Sequence, residues 1–431
     1  MTMKIITAEQ YKQQQKEAQS ETSARDAALD QTVLDIIQQV KSRGDQALFD
    51  YTEKFDGVKL DDFIVSAAEF TEAKESVEPA FLDALQQAKA NITAFHQGQM
   101  EQSWFMNQQD GIMVGQKVTP LERVGIYIPG GKAAYPSTVL MNVIPAVLAG
   151  VEKIVITTPP QANGKINPYV LAAAQITGVD TVYKVGGAQA VAALAYGTET
   201  VEKVVKIVGP GNAFVARAKK WVYGDVAIDM IAGPSEICVV ADETAPPRFV
   251  AADLLSQAEH DEQASAICIT TSKQVADEVI NEVEKQTAEL ERKTIIEKSL
   301  KQNGKIIITE NQKETFSIVN ELAPEHLQLM IANPMEQLGL VKNAGAIFMG
   351  NYSPEPLGDY FAGPNHTLPT SGTAAFASPL GVYDFLKKSS MIHYSRDALL
   401  KASTAIETLA NVEGLTAHAN AIKKRKDDPH A

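Results

Sequence analysis

Val204-Val-Lys-Ile-Val208 runs straight into Gly209-Pro-Gly-Asn212 and then into Ala213-Phe-Val-Ala-Arg-Ala-Lys-Lys220. The first block is a short β-branched apolar run, the second a turn, the third a stretch with helical character. The same phrase occurs three more times. Val124-Gly-Ile-Tyr-Ile128 ends at Pro129-Gly130-Gly131, and a helix-like segment follows that Ser137 is placed to cap. Lys153-Ile-Val-Ile-Thr157 leads through the polar loop Pro159 to Lys165 into a helix from Pro168. Thr181-Val-Tyr-Lys-Val185 runs into Gly186-Gly187-Ala188-Gln189 and an alanine-rich helix. Strand, turn and helix, repeated four times and three times with a glycine turn, predict parallel βαβ units with helices on both faces of a sheet.

Upstream, residues 1–110 read as helix-rich, with apolar positions Val33, Ile36, Ile37 and Val40, then Ala47, Leu48 and Tyr51, at helical spacing. His96 sits near a helix end beside Phe95 and reads as a surface or packing histidine. Downstream, two buried strand segments flank the tight turn Gly233-Pro234-Ser235-Glu236, and a helix begins after Pro246-Pro247, where the first N–H groups need no partner. Further strands fall near 264–270, 304–309 and 345–349, with a charged helix pair between 273 and 302. Residues 323–332 read as one helical turn before a strand. The Pro-, Gly-, Ser- and Thr-rich stretch 351–378 is a long loop of the kind compact domains keep for function. Beyond Gly381 two helical segments meet at Gly414. The expected architecture is α/β: two Rossmann-like, incompletely doubly wound lobes, an N-terminal helical segment (1–25) and a C-terminal helical arm (381–431). The larger lobe takes residues 26–126 and 237–380, the second lobe 127–236.

At 431 residues the chain is long enough to divide into lobes, and 45% apolar with 21% charged residues is ordinary globular composition. With 53 acidic against 39 basic residues the formal charge is −14, which disfavours nucleic acid. The dense basic run Lys423-Lys424-Arg425-Lys426 reads as a solvated tail. Cys238 and Cys268 lie in apolar runs without a Cys-x-x-Cys partner, so they read as small core residues in a reducing compartment. No secretory apolar segment opens the chain and no run is long enough for a membrane span, so a cytoplasmic location is expected.

Several residues carry chemistry. The glycine turns at 129–131, 186–187 and 209–211 aim backbone N–H groups and a helix start at whatever lies above them, which suits a phosphate; equally, glycines may only close tight βα turns, and neither G-x-G-x-x-G nor a P-loop is present. Gln257 and His260, three apart, leave one helix face. They suit a metal or substrate, or ordinary hydrogen bonds; Asp359, His366 and His418 supply further donors for an N/O site with open positions. Glu325-His326 follows Pro324. Started by that proline, a helical turn would hold Glu325 ionised and His326 neutral at its positive end, two bases near neutral pH. An N-terminal helix charge beside an exposed histidine is as common. Glu413 and His418 are five apart across Gly414, with Thr416 placed to cap the last helix.

With these residues laid out, the sequence resembles the histidinol dehydrogenase family over essentially its whole length. The resemblance is carried by Gly125-Ile-Tyr-Ile-Pro-Gly-Gly131, Tyr135-Pro-Ser-Thr-Val-Leu-Met-Asn142, Val185-Gly-Gly-Ala-Gln-Ala190 and Gly209-Pro-Gly-Asn-Ala-Phe-Val215. To these add Ala232-Gly-Pro-Ser-Glu236, Ser256-Gln-Ala-Glu-His-Asp261, Ala323-Pro-Glu-His-Leu327, Gly358-Asp-Tyr360, Gly363-Pro-Asn-His-Thr-Leu-Pro-Thr370 and Glu413-Gly-Leu-Thr-Ala-His418. The resemblance implies a homodimer with one zinc per subunit that uses NAD to oxidise L-histidinol through L-histidinaldehyde to L-histidine, the last step of histidine biosynthesis. It implies zinc ligands at Gln257, His260, Asp359 and His418, which with Ser235, His326 and Glu413 also hold substrate. Tyr127, Gln189 and Asn212 would line the cofactor site. His326 would take the hydroxyl proton in the first oxidation, and Glu325 with His326 would activate water for the second. Glu413 and His418, on the arm, would complete the partner's site. A dehydrogenase of a related amino alcohol and a zinc-dependent hydrolase are the alternatives; NADH formation separates the hydrolase.

Overall fold

The computed structural model of the protein describes residues 3–18, 24–130 and 134–427. Two compact units emerge, residues 1–99 with 121–384, and residues 100–120 with 385–431.

The first unit is built on two parallel sheets. One has five strands in the spatial order Val182–Tyr183, Lys153–Thr157, Arg123–Tyr127, Lys206–Val208, Ala227–Ile228. The chain enters at the middle strand, builds outward on one side, and then crosses to the other. The strand order therefore reverses beside Arg123–Tyr127, which is where an open α/β sheet forms a crevice at its carboxyl ends. The second sheet has six strands in the order Lys4–Thr7, Lys305–Ile308, Ser265–Thr270, Glu236–Ala241, His326–Met330, Ala346–Met349. Its central strand shows why the sequence is apolar without alternation. Ile237, Val239 and Ala241 join one core layer with Val250 and Leu254, while Cys238 and Val240 join the opposite layer with Phe316 and Val319. Successive side chains point to opposite faces, and both faces are covered.

The two strands flanking the Gly233 turn belong to different sheets, so that turn carries the chain from one to the other. The helix Pro136–Ala149 begins at its proline with Tyr135 before it, two residues earlier than a Ser137 cap would place it. The turn at Pro129-Gly130-Gly131 is described only to Gly130; Gly131 lies outside the described residues. The N-terminal helix Ala8–Ala18 is preceded by the strand Lys4–Thr7, which pairs in parallel with Lys305–Ile308. The helices Ala24–Arg43 and Asp45–Asp56, grouped by sequence with the larger lobe, place Val33, Ile36, Ile37, Val40 and Leu48 in the core of the five-stranded sheet, beside Val191 and Leu194. Cys238 and Cys268 are buried free thiols, and burial pushes both up, Cys268 to about 12.

The second unit is an antiparallel sheet of Leu386–Tyr394, Ile112–Pro120 and Trp104–Gln109, followed by the helices Arg396–Val412 and Thr416–Lys426. The two helices of the arm meet at Gly414 (φ 74°) as the sequence predicts. The strand before them was not legible, because most of its side chains face solvent and its Lys387-Lys-Ser-Ser390 centre has no apolar alternation. Among the described residues no helix is long and apolar enough to cross a membrane.

Candidate active site

Glu325 and His326 do not start a helix. Ala323 takes a left-handed conformation (φ 44°) that ends the helix Gln312–Leu322, and His326 is the first residue of a central strand. The expected helix-dipole effect is therefore absent, and burial with neighbouring charge takes its place. Glu325 Oε2 accepts the Glu236 backbone N–H at 2.8 Å. Burial pushes Glu325 up to about 7 although His326 and the Glu236 bond pull the other way. For His326, burial alone would lower the imidazole; Glu325, Asp359 and Glu355 outweigh it and raise it to about 10. This reverses the neutral histidine expected from a helix start.

The geometry fixes which nitrogen of His326 is available. Its Nδ1 lies 3.0 Å from the Glu236 carbonyl oxygen, which can only accept, so Nδ1 carries a proton. Nε2 is buried without a hydrogen-bond partner, 3.7 Å from Asp359 Oδ1 and 4.0 Å from Glu355 Oε1. Both contacts are too long for hydrogen bonds. Nε2 thus faces a cluster of oxygens.

The helix Pro247–Ala258 ends just before His260, whose N–H still donates to Gln257 O at 3.2 Å in a closing turn. Gln257 is 1% exposed and its Oε1 has no partner. A buried, orphaned amide oxygen is costly and requires a reason. Close by in the chain, His260 joins Glu355 and Asp359 in a cluster in which one donor atom from each lies within 4.8 Å of the others. Burial lowers His260, favouring the neutral imidazole that binds metal. Burial would raise Asp359; contact with His326 and the charge of His366 outweigh it and hold the carboxyl below the usual range. An amide oxygen, an imidazole and carboxylates form an N/O donor set that suits zinc and offers no thiolate.

Glu355 is the member that sequence reasoning missed. It follows Pro354 at the start of the short helix Glu355–Tyr360, is 2% exposed and receives Ser256 Oγ at 3.3 Å. Burial raises it to about 8. The only signal was its spacing of four from Asp359, one turn of helix, inside a stretch that reads as loop. His366, offered as a donor by sequence, is spent otherwise: Nδ1 donates to the Asp359 carbonyl at 3.0 Å, and Nε2 lies 3.2 Å from Thr138 Oγ1. It positions the Asp359 backbone. His96 is a packing histidine, fully buried, with Nδ1 2.8 Å from Gln99 Oε1.

Ser235 immediately precedes the strand Glu236–Ala241 at the same sheet edge as Glu325 and His326. The 351–378 stretch folds over that edge, since Thr370 Oγ1 accepts the Gly233 N–H at 2.6 Å and Glu236 Oε1 accepts the Ser371 N–H at 3.1 Å. A cavity of about 390 Å³ opens at His260, walled by Glu259, Arg292, Tyr135 and Tyr360. Glu413 and His418 belong to the second unit, where both are exposed; His418 falls in the first turn of Thr416–Lys426, whose cap position is Leu415 rather than Thr416.

Tyr127, Gln189 and Asn212 come together at the carboxyl ends of the five-stranded sheet, around a cavity of about 850 Å³. The Gly187 N–H donates to the Tyr127 hydroxyl at 3.1 Å, and burial pushes that phenol up to about 12. Gln189 is 1% exposed with Oε1 unpartnered. Asn212 caps the helix Ala213–Val222 by accepting from Phe214 and Val215 N–H groups. Two helix starts therefore open on the cavity, at Gly187 and Ala213, an arrangement suited to a pyrophosphate. Its turn is held from behind: Lys219 Nζ donates to the Gly209 carbonyl at 2.9 Å and pairs with Asp229, whose Oδ2 accepts the Gly209 N–H at 2.8 Å.

Comparison with known proteins gives one answer. The family model described as histidinol dehydrogenase matches residues 19–426. A histidinol dehydrogenase from Oceanobacillus iheyensis is 58% identical over 429 residues, covering 100% of both chains. One from Listeria monocytogenes is 60% identical over 393 residues, 91% of this chain and 92% of its own. The crystal structure of histidinol dehydrogenase from Elizabethkingia anophelis superposes with a TM-score of 0.89 at 42% identity, covering 92% of each chain.

Proposed function

The chain belongs to the histidinol dehydrogenase family, and we propose on that premise that it oxidises L-histidinol through L-histidinaldehyde to L-histidine, using two NAD. The observation that carries this reading is His326: its Nδ1 proton is committed to Glu236 O, and Nε2, with no hydrogen-bond partner, faces Glu355 and Asp359 of the His260 cluster.

Gln257, His260 and Asp359 would hold zinc, with His418 of the arm as the further ligand. When bound, zinc would orient the substrate as a template and offset the carboxylate charge around His326. NAD would accept the two hydrides from the cavity lined by Tyr127, Gln189 and Asn212. The chain's own residues then divide the work. Ser235, with Glu413, would fix the substrate so that its alcohol carbon faces Nε2. With zinc offsetting the carboxylate charge that raises His326, its Nε2 would take the hydroxyl proton while the Nδ1 bond keeps the ring orientation. Glu325, buried and raised to about 7, accepts a proton near neutrality; with His326 it draws the proton from a water that attacks the aldehyde. The resulting diol gives up the second hydride. The cover of 351–378 over the sheet edge keeps the aldehyde from bulk water.

Pairing of two chains is part of this proposal. The second unit exposes Phe105 (65%), Ile392 (75%), Leu409 (67%) and Val412 (83%), apolar side chains of the kind a subunit interface covers. Glu413 and His418 on that same unit would reach a neighbouring copy. A cytoplasmic location fits the two reduced, buried cysteines. The test is NADH formed from limiting L-histidinol by zinc-loaded protein: two per substrate, with histidine as product, is expected. One would mean that the aldehyde escapes and Glu325 lacks its role; none would overturn the reading.

A further inference from the structure

The cofactor-side cavity has a charged wall that the two oxidations do not use. Asp56 lines it, and among the described lining residues there is no other carboxylate and no lysine, arginine or histidine. Asp56 is the last residue of the helix Asp45–Asp56, with left-handed Gly57 (φ 70°) closing it. That is the wrong end for an anion, since helix carbonyls already concentrate negative charge there. Its Oδ2 is shielded from solvent and has no hydrogen-bond donor. Burial pushes the carboxyl up to about 6, and no cation or donor offsets that. Three costs fall on one side chain, and nothing among the described residues offsets them.

A second orphan shares the cavity. Gln189 Oε1 is an amide oxygen, also buried and unpartnered. Two unsatisfied acceptors in one cavity call for a ligand that brings donors. A carboxylate can only accept; it suits hydroxyl groups and repels phosphate. In dinucleotide folds with the glycine fingerprint, an acidic residue on the sheet takes the ribose 2′-hydroxyl. This chain lacks that fingerprint, and here the carboxylate comes from a helix that precedes the sheet in sequence and packs on it from outside.

We propose that Asp56 is the residue that selects the dinucleotide, accepting hydrogen bonds from the ribose diol of NAD and excluding the 2′-phosphate of NADP. This rests on the reading that NAD occupies this cavity. It assigns a specificity role to a helix outside both the zinc site and the glycine turns. Because Asp56 Oδ2 has no partner among the described residues, replacing it should leave the protein folded.

The test is equilibrium binding of NADH and NADPH, followed by their fluorescence, to zinc-loaded protein without histidinol, for the wild type, Asp56→Asn and Asp56→Ser. Wild type should favour NADH at least about tenfold, equivalent to about 1.4 kcal/mol. Both variants should shrink that ratio to less than about threefold, mainly by tightening NADPH, with unfolding temperatures no lower than wild type. An unchanged ratio in folded variants would overturn the proposal. So would an equal loss of both dinucleotides, which would mean that Asp56 shapes the cavity without selecting. If wild type binds neither dinucleotide, the cavity reading itself fails, a result distinct from either of those.

Discussion

Replacing Lys219 by methionine probes the structure most sharply. Lys219 and Asp229 form an ion pair with both side chains at or below 2% exposure. The pair also closes the Gly209 turn: Lys219 Nζ donates to the Gly209 carbonyl and Asp229 accepts the Gly209 and Met230 N–H groups. Gly209 has no freedom to adjust, because its φ of 108° is left-handed and any Cβ would lie 2.1 Å from the Tyr127 carbonyl oxygen. Methionine fills the lysine volume but leaves Asp229 as an uncompensated buried charge, a change that costs about 3–5 kcal/mol. Asp229→Asn should also be costly, since its one amide oxygen can receive only one of the two backbone N–H groups and the Lys219 ammonium loses its counter-charge. The double variant Lys219→Met with Asp229→Leu removes both charges and should recover much of the loss, because replacing a buried pair by apolar groups is often near neutral. Urea unfolding, with midpoint and slope compared across the cycle, measures the coupling. Because the turn carries Asn212 into the cofactor cavity, the Lys219→Met protein should also bind NADH more weakly while its zinc affinity is unchanged. A loss below about 1 kcal/mol in Lys219→Met would refute the clamp, as would a double variant no better than the single one.

Three further outcomes follow from the site. His326→Gln should slow oxidation of histidinol by about 10²–10⁴-fold, whereas Glu325→Gln should slow mainly oxidation of supplied histidinaldehyde; equal slowing of both substrates in Glu325→Gln would contradict that division. Gln257→Leu should weaken zinc by at least about 10–100-fold in competition with a chelator, and in metal-free protein should raise stability by up to about 1–3 kcal/mol by removing an orphaned oxygen; unchanged zinc affinity would remove Gln257 from the ligand set. Asp56, raised from 3.8 to about 6, favours its protonated form in the folded protein. Its contribution is therefore full below 3.8 and is lost as pH rises through about 6, so wild type should lose unfolding temperature across that window relative to Asp56→Asn.

Much of this protein is written locally. Short apolar runs, three of them ending in glycine turns, marked four of the five strands of the five-stranded sheet, since a parallel strand covered on both faces needs no alternation. Pro246-Pro247 marked the start of the helix that carries Gln257, although that helix ends at Ala258 and His260 follows in the closing turn. Motif resemblance singled out His260 and Asp359, which the structure brings into one cluster, and Tyr127, Gln189 and Asn212, which line one cavity. The environment of those residues was another matter. Glu325 and His326 were read as a helix start because Pro324 precedes them; the structure makes them the head of a central strand, where burial and three carboxylates set their protonation. Glu355 stayed hidden because its partners, Ser256, His326 and Asp359, are far from it or weakly patterned in sequence. The strand Leu386–Tyr394 stayed hidden because its faces are wet, and only pairing with Ile112–Pro120 makes it a strand. Asp56 carries no distinguishing pattern in the sequence, and only the folded chain places it on the cavity wall. Propensity, turn chemistry and spacing act over a few residues, so the sequence determines them by itself. Burial, the charge around a titrating group and the loss of a hydrogen-bond partner are properties of atoms brought together from distant segments, and those were decided only by tertiary structure.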